Sequence, residues 1–139
     1  MTLEPQDKKV LSDMRIEKAC KYLQDASANF KEGRYETAVN RSYYAALNAV
    51  RSVLILEGVD PETHKGVITM LSLRFIKPAL LSKDILKKFE LLLARRTDVD
   101  YGDFEIVEAS DAADSLKSAE QIIETIERVR TKLVAELMT

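Results

Sequence analysis

The residue pattern predicts an all-α fold, an up-and-down helical bundle of about five helices. Apolar side chains recur at intervals of three and four over long stretches, the spacing of a buried helix face. Turn-formers are scarce: the 139 residues include four glycines and three prolines. No stretch alternates in the manner of a half-buried strand. The length suits a single domain over residues 1–139 with its own core.

The first helix is expected from about Asp7 to Glu32, with Leu11, Met14, Ala19, Leu23, Ala26 and Phe30 near one face and Gly33 as its stop. The second runs from about Tyr35 to Glu57 and ends at Gly58. Its stripe of Ala38, Ser42, Ala45, Ala49, Ser52 and Leu56 lets neighbours approach closely. Val39, Tyr43, Ala46, Val50, Val53 and Leu54 spread apolar character round the rest, the mark of a central helix. Arg41, Tyr44, Asn48 and Arg51 on that helix require partners or water, which indicates a polar seam beside the core. Asp60-Pro61-Glu62-Thr63 reads as a turn, with Thr63 or Asp60 as the cap of a third helix from about His64 to Ile76. Lys77-Pro78 breaks that helix. Ser82 is the expected cap of a fourth, from about Lys83 to Arg96, with Ile85, Phe89, Leu92 and Leu93 inward. The last helix is expected from about Ser110 to Leu137, along a seam of Ala112, Leu116, Ala119, Ile123, Ile126, Leu133 and Leu137.

Composition narrows the functional classes. Twenty-one basic and 23 acidic residues leave a net charge of −2. There is no global basic field for nucleic acid, so any RNA contact must be local. One cysteine, Cys20, excludes an internal disulfide, and one histidine, His64, excludes a multi-histidine metal site within the chain. Cys20 is expected as a buried or half-buried thiol. His64 reads as a capping or packing residue. No metal or cofactor is expected. The sequence has no recognisable signal peptide and no apolar run of membrane-spanning length, so the expected location is the cytoplasm and no membrane partner is expected.

Chemistry-bearing residues concentrate in Arg95-Arg96-Thr97-Asp98-Val99-Asp100-Tyr101-Gly102-Asp103, where the helical pattern stops. An arginine fork suits phosphate or carboxylate, and aspartate or tyrosine can hold it in place. Arg96, three residues beyond Leu93, is expected on the interior side and Arg95 elsewhere. The alternative for this cluster is an ion-pair network closing a helix end.

Three stretches resemble the HEPN-domain family. Gly33 to Ala46 (GRYETAVNRSYYAA) is similar to its G-x-Y-x-x-A-x-x-R-x-Y-Y-A helix, Thr63-His64-Lys65-Gly66 to its S/T-H-K-G helix start, and Arg96 to Tyr101 to its R-x-x-x-D-Y. The resemblance implies a helical bundle that forms a homodimer, in many relatives with two arginine motifs facing one groove. It also implies a small nucleotidyltransferase as partner, in a toxin–antitoxin-like or stress-response pair, with Tyr101 as a candidate acceptor of a nucleotidyl group. Many members are metal-independent ribonucleases with arginine and, four to six residues on, histidine. Here that window holds Asp100 counted from Arg95, and Tyr101 to Asp103 counted from Arg96. No histidine is present, and an ordinary carboxylate is a poor acid at neutral pH.

The expected site is therefore Arg96, helped by Arg95, Arg41, Tyr44, Asp100 and Tyr101, binding a nucleotide, RNA or another phosphate-bearing ligand. Arg96, Asp100 and Tyr101 are also the weak catalytic candidates. The alternatives are an endoribonuclease with an altered acid–base set, in which His64 serves only if folding brings it to the arginines, and a noncatalytic protein-interaction module.

Overall fold

Local signals set where each helix starts and stops. A computed structural model describes residues 2–102 and 106–139; Asp103 of the arginine-led stretch lies outside them. Helix α1 spans Pro5–Lys31, with proline in the first turn, where its missing N–H costs nothing. Gly33, at φ +77°, turns the chain, and Arg34 N–H closes the helix end on Asn29 O at 2.9 Å. Helix α2 spans Tyr35–Leu54 and tightens into a 3-10 turn over Ile55–Glu57. Helix α3, His64–Leu71, passes into a π turn over Ser72–Ile76. Helix α4 spans Lys83–Tyr101 and α5 spans Ala109–Leu137.

The described residues form the expected all-α bundle. Helix α2 lies at its centre, packed on α1, α4 and α5. Its small residues Ala38, Ser42, Ala45, Ala49 and Ser52 are all fully buried, so backbones approach closely along that stripe. Tyr43, Phe75 and Phe89 are the largest fully enclosed side chains. They join Val50, Leu71, Ile122 and Ile126 in one core. A smaller cluster of Ala38, Val39 and Ala112 lies at the other end of α2, with Val99 against it.

Four expectations need correction. Helix α4 does not end at Arg96; it continues through Tyr101. Asp98, Val99 and Asp100 are poor helix formers, but Val99 packs against the second cluster and Asp100 pairs with Arg96 one turn back. Tertiary burial and an i,i+4 pair outweigh propensity there. On α1 the buried face is Ser12, Ile16, Ala19 and Ala26, whereas Met14 is 60% exposed. The small hydroxyl of Ser12 fits beside α5 and accepts from Arg130 Nη1 at 3.4 Å, which hydropathy alone does not reveal. On α5, Ser115 and Ser118 join the buried face as small residues, and Ile122 joins it as a large apolar one. Cys20 is exposed, because its neighbour Ala19 takes the core position.

Thr63 is the cap of α3: its Oγ1 accepts from Gly66 N–H at 2.9 Å. A Cβ on Gly66 would stand 2.9 Å from that oxygen and 3.0 Å from Pro61 Cβ. The glycine thus allows the capped turn that presents His64. Asp60 instead joins Arg15 at 3.0 Å and Arg51 at 3.2 Å. Burial raises the Asp60 pKa, but the two arginines outweigh it and leave the carboxyl below its ordinary value.

Candidate anion site around Arg96

The extension of α4 decides the geometry of the arginine motif. Residues 96 and 100 sit one turn apart on the same helical face rather than in a loop. Arg96 Nη2 donates to the Tyr44 hydroxyl at 2.7 Å. Its Nε lies 2.8 Å from Asp100 Oδ2, yet that N–H is not directed at the oxygen and has no hydrogen bond. The contact is an ion pair with an unused donor. The Arg96 side chain is only 13% exposed. Its guanidinium carbon lies 5.9 Å from the Tyr43 ring centre, 5.4 Å from Tyr44 and 5.9 Å from Tyr101. Such aromatic faces attract a cation and exclude water from its flanks. Arg51 and Arg130 also leave Nε unbonded, but among the described residues neither guanidinium lies over an aromatic ring.

His64 comes to the same place, although it lies 32 positions before Arg96 in the chain. Its Nδ1 meets the Tyr43 hydroxyl at 2.5 Å. Tyr43 stacks on Phe89, with centroids 5.7 Å apart, and is itself completely buried. Burial pushes the Tyr43 phenol pKa up, so the hydroxyl keeps its proton. Burial and then the positive charge of Arg96 lower the His64 pKa. The imidazole is therefore neutral at pH 7, and within hydrogen-bond reach of a group that also packs under the arginine.

A polar chain leads away from the other side. Asn40 Nδ2 donates to Asp100 Oδ1 at 3.3 Å. Arg41 Nη1 donates to Asn40 Oδ1 at 3.0 Å, and its Nε to Asp25 Oδ2 at 2.8 Å. Arg41 is thus held by α1 and reaches the Arg96 pair only through Asn40. Glu36, Thr37, Asn40, Arg41, Val99 and Asp100 line a groove of about 300 Å³ beside the cluster. Asp100 and Asn40 stand between this groove and Arg96.

Of the residues singled out from sequence, the fold joins Arg96, Tyr44, Asp100 and Tyr101. Tyr101 lies at the rim, 73% exposed. Arg95 does not join them. It faces α5, donating to Asp114 Oδ2 at 2.7 Å and Ser115 Oγ at 3.1 Å. Consecutive residues on a helix diverge by about 100°, so Arg95 points to α5 and away from the Arg96 cluster. Sequence reading missed Asn40 and the hydroxyl of Tyr43. One signal for the former was available: Asn40, Tyr44 and Asn48 recur every four residues on the central helix.

Comparison with known proteins agrees with this architecture. The model of the HEPN domain matches residues 12–129. A UPF0332 protein of Thermotoga maritima is 30% identical over 107 residues, 77% of this chain and 81% of that protein. A UPF0332 protein of Archaeoglobus fulgidus is 33% identical over 112 residues, 81% of this chain and 89% of that one. A protein of Methanocaldococcus jannaschii bearing the name "Putative toxin MJ0142" is 30% identical over 86 residues, 62% of this chain and 58% of that one. The crystal structure of TT1696 from Thermus thermophilus superposes with a TM-score of 0.74 at 18% identity, covering 85% of this chain and 97% of that one. With a family match over residues 12–129, on a bundle whose described residues carry all three sequence stretches, this chain belongs to the HEPN-domain family.

Proposed function

We propose that this protein binds a nucleotide or another phosphate-bearing ligand at Arg96 and acts, as a homodimer, in a toxin–antitoxin-like pair with a small nucleotidyltransferase. One observation carries the reading of the site. Arg96 is nearly enclosed, yet its Nε–H is unbonded. A buried donor without an acceptor is costly and calls for an explanation. A phosphate oxygen that displaces the Asp100 carboxylate, 2.8 Å away, supplies that acceptor in the geometry arginine is built for. The relative named as a toxin supports the paired-system setting.

The test is a thermal-shift screen with ATP, GTP and short RNAs, on the wild type and on Arg96→Gln. A ligand at one hundred times its Kd adds about 2.7 kcal/mol of stability. The shift is expected in the wild type and absent in the variant. Equal shifts in both proteins, or none in either, remove the reading. Co-purification with the product of a neighbouring nucleotidyltransferase reading frame tests the partner, and light scattering tests the dimer.

A ribonuclease is the second reading, and the approach of His64 to the arginine site favours it. A positioned imidazole contributes about 10² to 10⁴ in rate. Metal-independent cleavage leaving 2′,3′-cyclic phosphate ends is the expected product. Diverse RNAs left intact, with and without the partner, discard this alternative.

A further inference from the structure

Charge balance identifies a further member of the Arg96 site. Arg96 carries one positive charge and Asp100, 2.8 Å away, carries one negative charge. Tyr43, Tyr44 and Tyr101, which surround the guanidinium, contribute phenol rings and no formal charge. Arg41 is already paired with Asp25. As built, the Arg96–Asp100 pair has no net charge to offer an anion. Lys65 follows His64 on α3 but is exposed and holds no ion pair among the described residues. Among the groups packed round Tyr43, from α2 (Tyr44), α3 (His64) and α4 (Phe89, Arg96), only the imidazole changes charge near neutral pH.

The hydrogen bonding of His64 suits such a change. Its Nδ1 is engaged by the Tyr43 hydroxyl, while Nε2 has no partner among the described residues and the residue is only half-buried. With a neutral ring, Tyr43 can donate to Nδ1. When the ring is charged, Nδ1–H donates to the Tyr43 oxygen and Nε2–H remains a charged donor on the accessible side. Neither state requires Tyr43 to leave the core.

We propose that His64 is an anion-binding residue of the Arg96 site, taking up one proton from solvent as a phosphate group binds. This rests on the reading of Arg96 as a phosphate site. Free, the histidine is held neutral by burial and by Arg96. The anion reverses that balance by cancelling the arginine's field and adding attraction of its own. By linkage, whatever factor the proton adds to anion affinity, the anion adds to proton affinity. The protein then takes the ligand more tightly as pH falls.

The experiment uses the uridine dinucleotide UpU, whose phosphodiester and bases keep one charge state through the range examined. The chain's single histidine makes its C2–H resonance unambiguous by NMR. In the wild type, UpU is expected to raise the His64 pKa by about half to one unit, with affinity about 3- to 10-fold higher at about pH 5.5 than at 7.5. Calorimetry in two buffers of different ionisation enthalpy should register proton uptake. In His64→Gln both effects should vanish, with weak pH-independent binding left. Tyr43→Phe, which keeps the ring, should alter the His64 pKa while leaving UpU binding linked to its proton. If Arg96→Gln abolishes binding but wild-type affinity is flat with pH and no proton is taken up, this proposal falls and the Arg96 site stands. If UpU does not bind, or binds Arg96→Gln equally well, both fall.

Discussion

Arg96 and Tyr44, 52 positions apart in the chain, meet in a 2.7 Å hydrogen bond between α4 and α2. The phenol oxygen accepts from Nη2, fixing the guanidinium plane while Nε remains unbonded. The same arginine is packed over that tyrosine's ring, so Tyr44 positions it twice over, through the ring and through the oxygen.

Tyr44→Phe separates those two roles. The ring stays and the acceptor goes. Stability should fall by about 1 kcal/mol, the net worth of one hydrogen bond with a charged partner left less satisfied. Phosphate-ligand affinity should fall several-fold because the fork loses its fixed plane. Urea unfolding and calorimetry of the same preparations measure both; unchanged affinity would show that Tyr44 does not orient the fork.

The lowered pKa of His64 predicts a pH dependence of stability. The unfolded chain, with an ordinary imidazole near 6.5, binds the proton more readily than the folded protein. Stability should therefore fall as pH drops below about 6.5, until the folded histidine is itself protonated. Asp13, whose pKa is lowered chiefly by its hydrogen bond to Lys9, and Asp60 act in the same direction, but only near or below their ordinary value of 3.8. Chemical denaturation between pH 5 and 7 thus isolates the histidine. The slope should be reduced in His64→Gln, and an identical slope in that variant would contradict the assignment.

Gly66→Ala should destabilise the turn before α3. The added methyl group would meet Thr63 Oγ1 at 2.9 Å and Pro61 Cβ at 3.0 Å, so the cap opens or the turn shifts. A lost cap costs about 1 kcal/mol. Because His64 begins this helix, its NMR pKa should move as well. Full stability with an unshifted histidine would show that the cap does not set the ring's position.

Ala79→Gly should have the opposite sign. Ala79 is the one described residue other than glycine with positive φ, at +62°. It lies in the turn where Leu80 N–H and Leu81 N–H both donate to Phe75 O. Relieving left-handed strain gains about 1 kcal/mol, less the extra entropy glycine brings to the unfolded chain. A small rise in melting temperature is expected; a fall would mean that the methyl group's contacts outweigh the strain.

Much of the fold was legible because it rests on local rules. Helical spacing, Gly33 and Gly58 as stops, the Thr63 cap and the apolar run Val67-Leu71-Phe75 each act within a few residues. The boundary of α4 was not, because Asp98 to Asp100 disfavour helix locally and are held by Val39, Ala112 and Arg96 from elsewhere. The buried serines of α1 and α5 escaped notice because hydropathy scores polarity, whereas close helix contact depends on size.

For the site, residue order by itself determined that Arg96 follows the inward face of α4, whereas Asp100 stands one helical turn later only because packing carries the helix on to Tyr101. Only the tertiary structure decided that Arg95 turns to α5, that Arg41 is drawn to Asp25, and that Tyr43 and His64 complete the surroundings of Arg96. The reason is reach. Helical periodicity sets the direction of a side chain about its own axis, but which partner waits there depends on how α2, α3 and α4 pack around Tyr43 and Phe89.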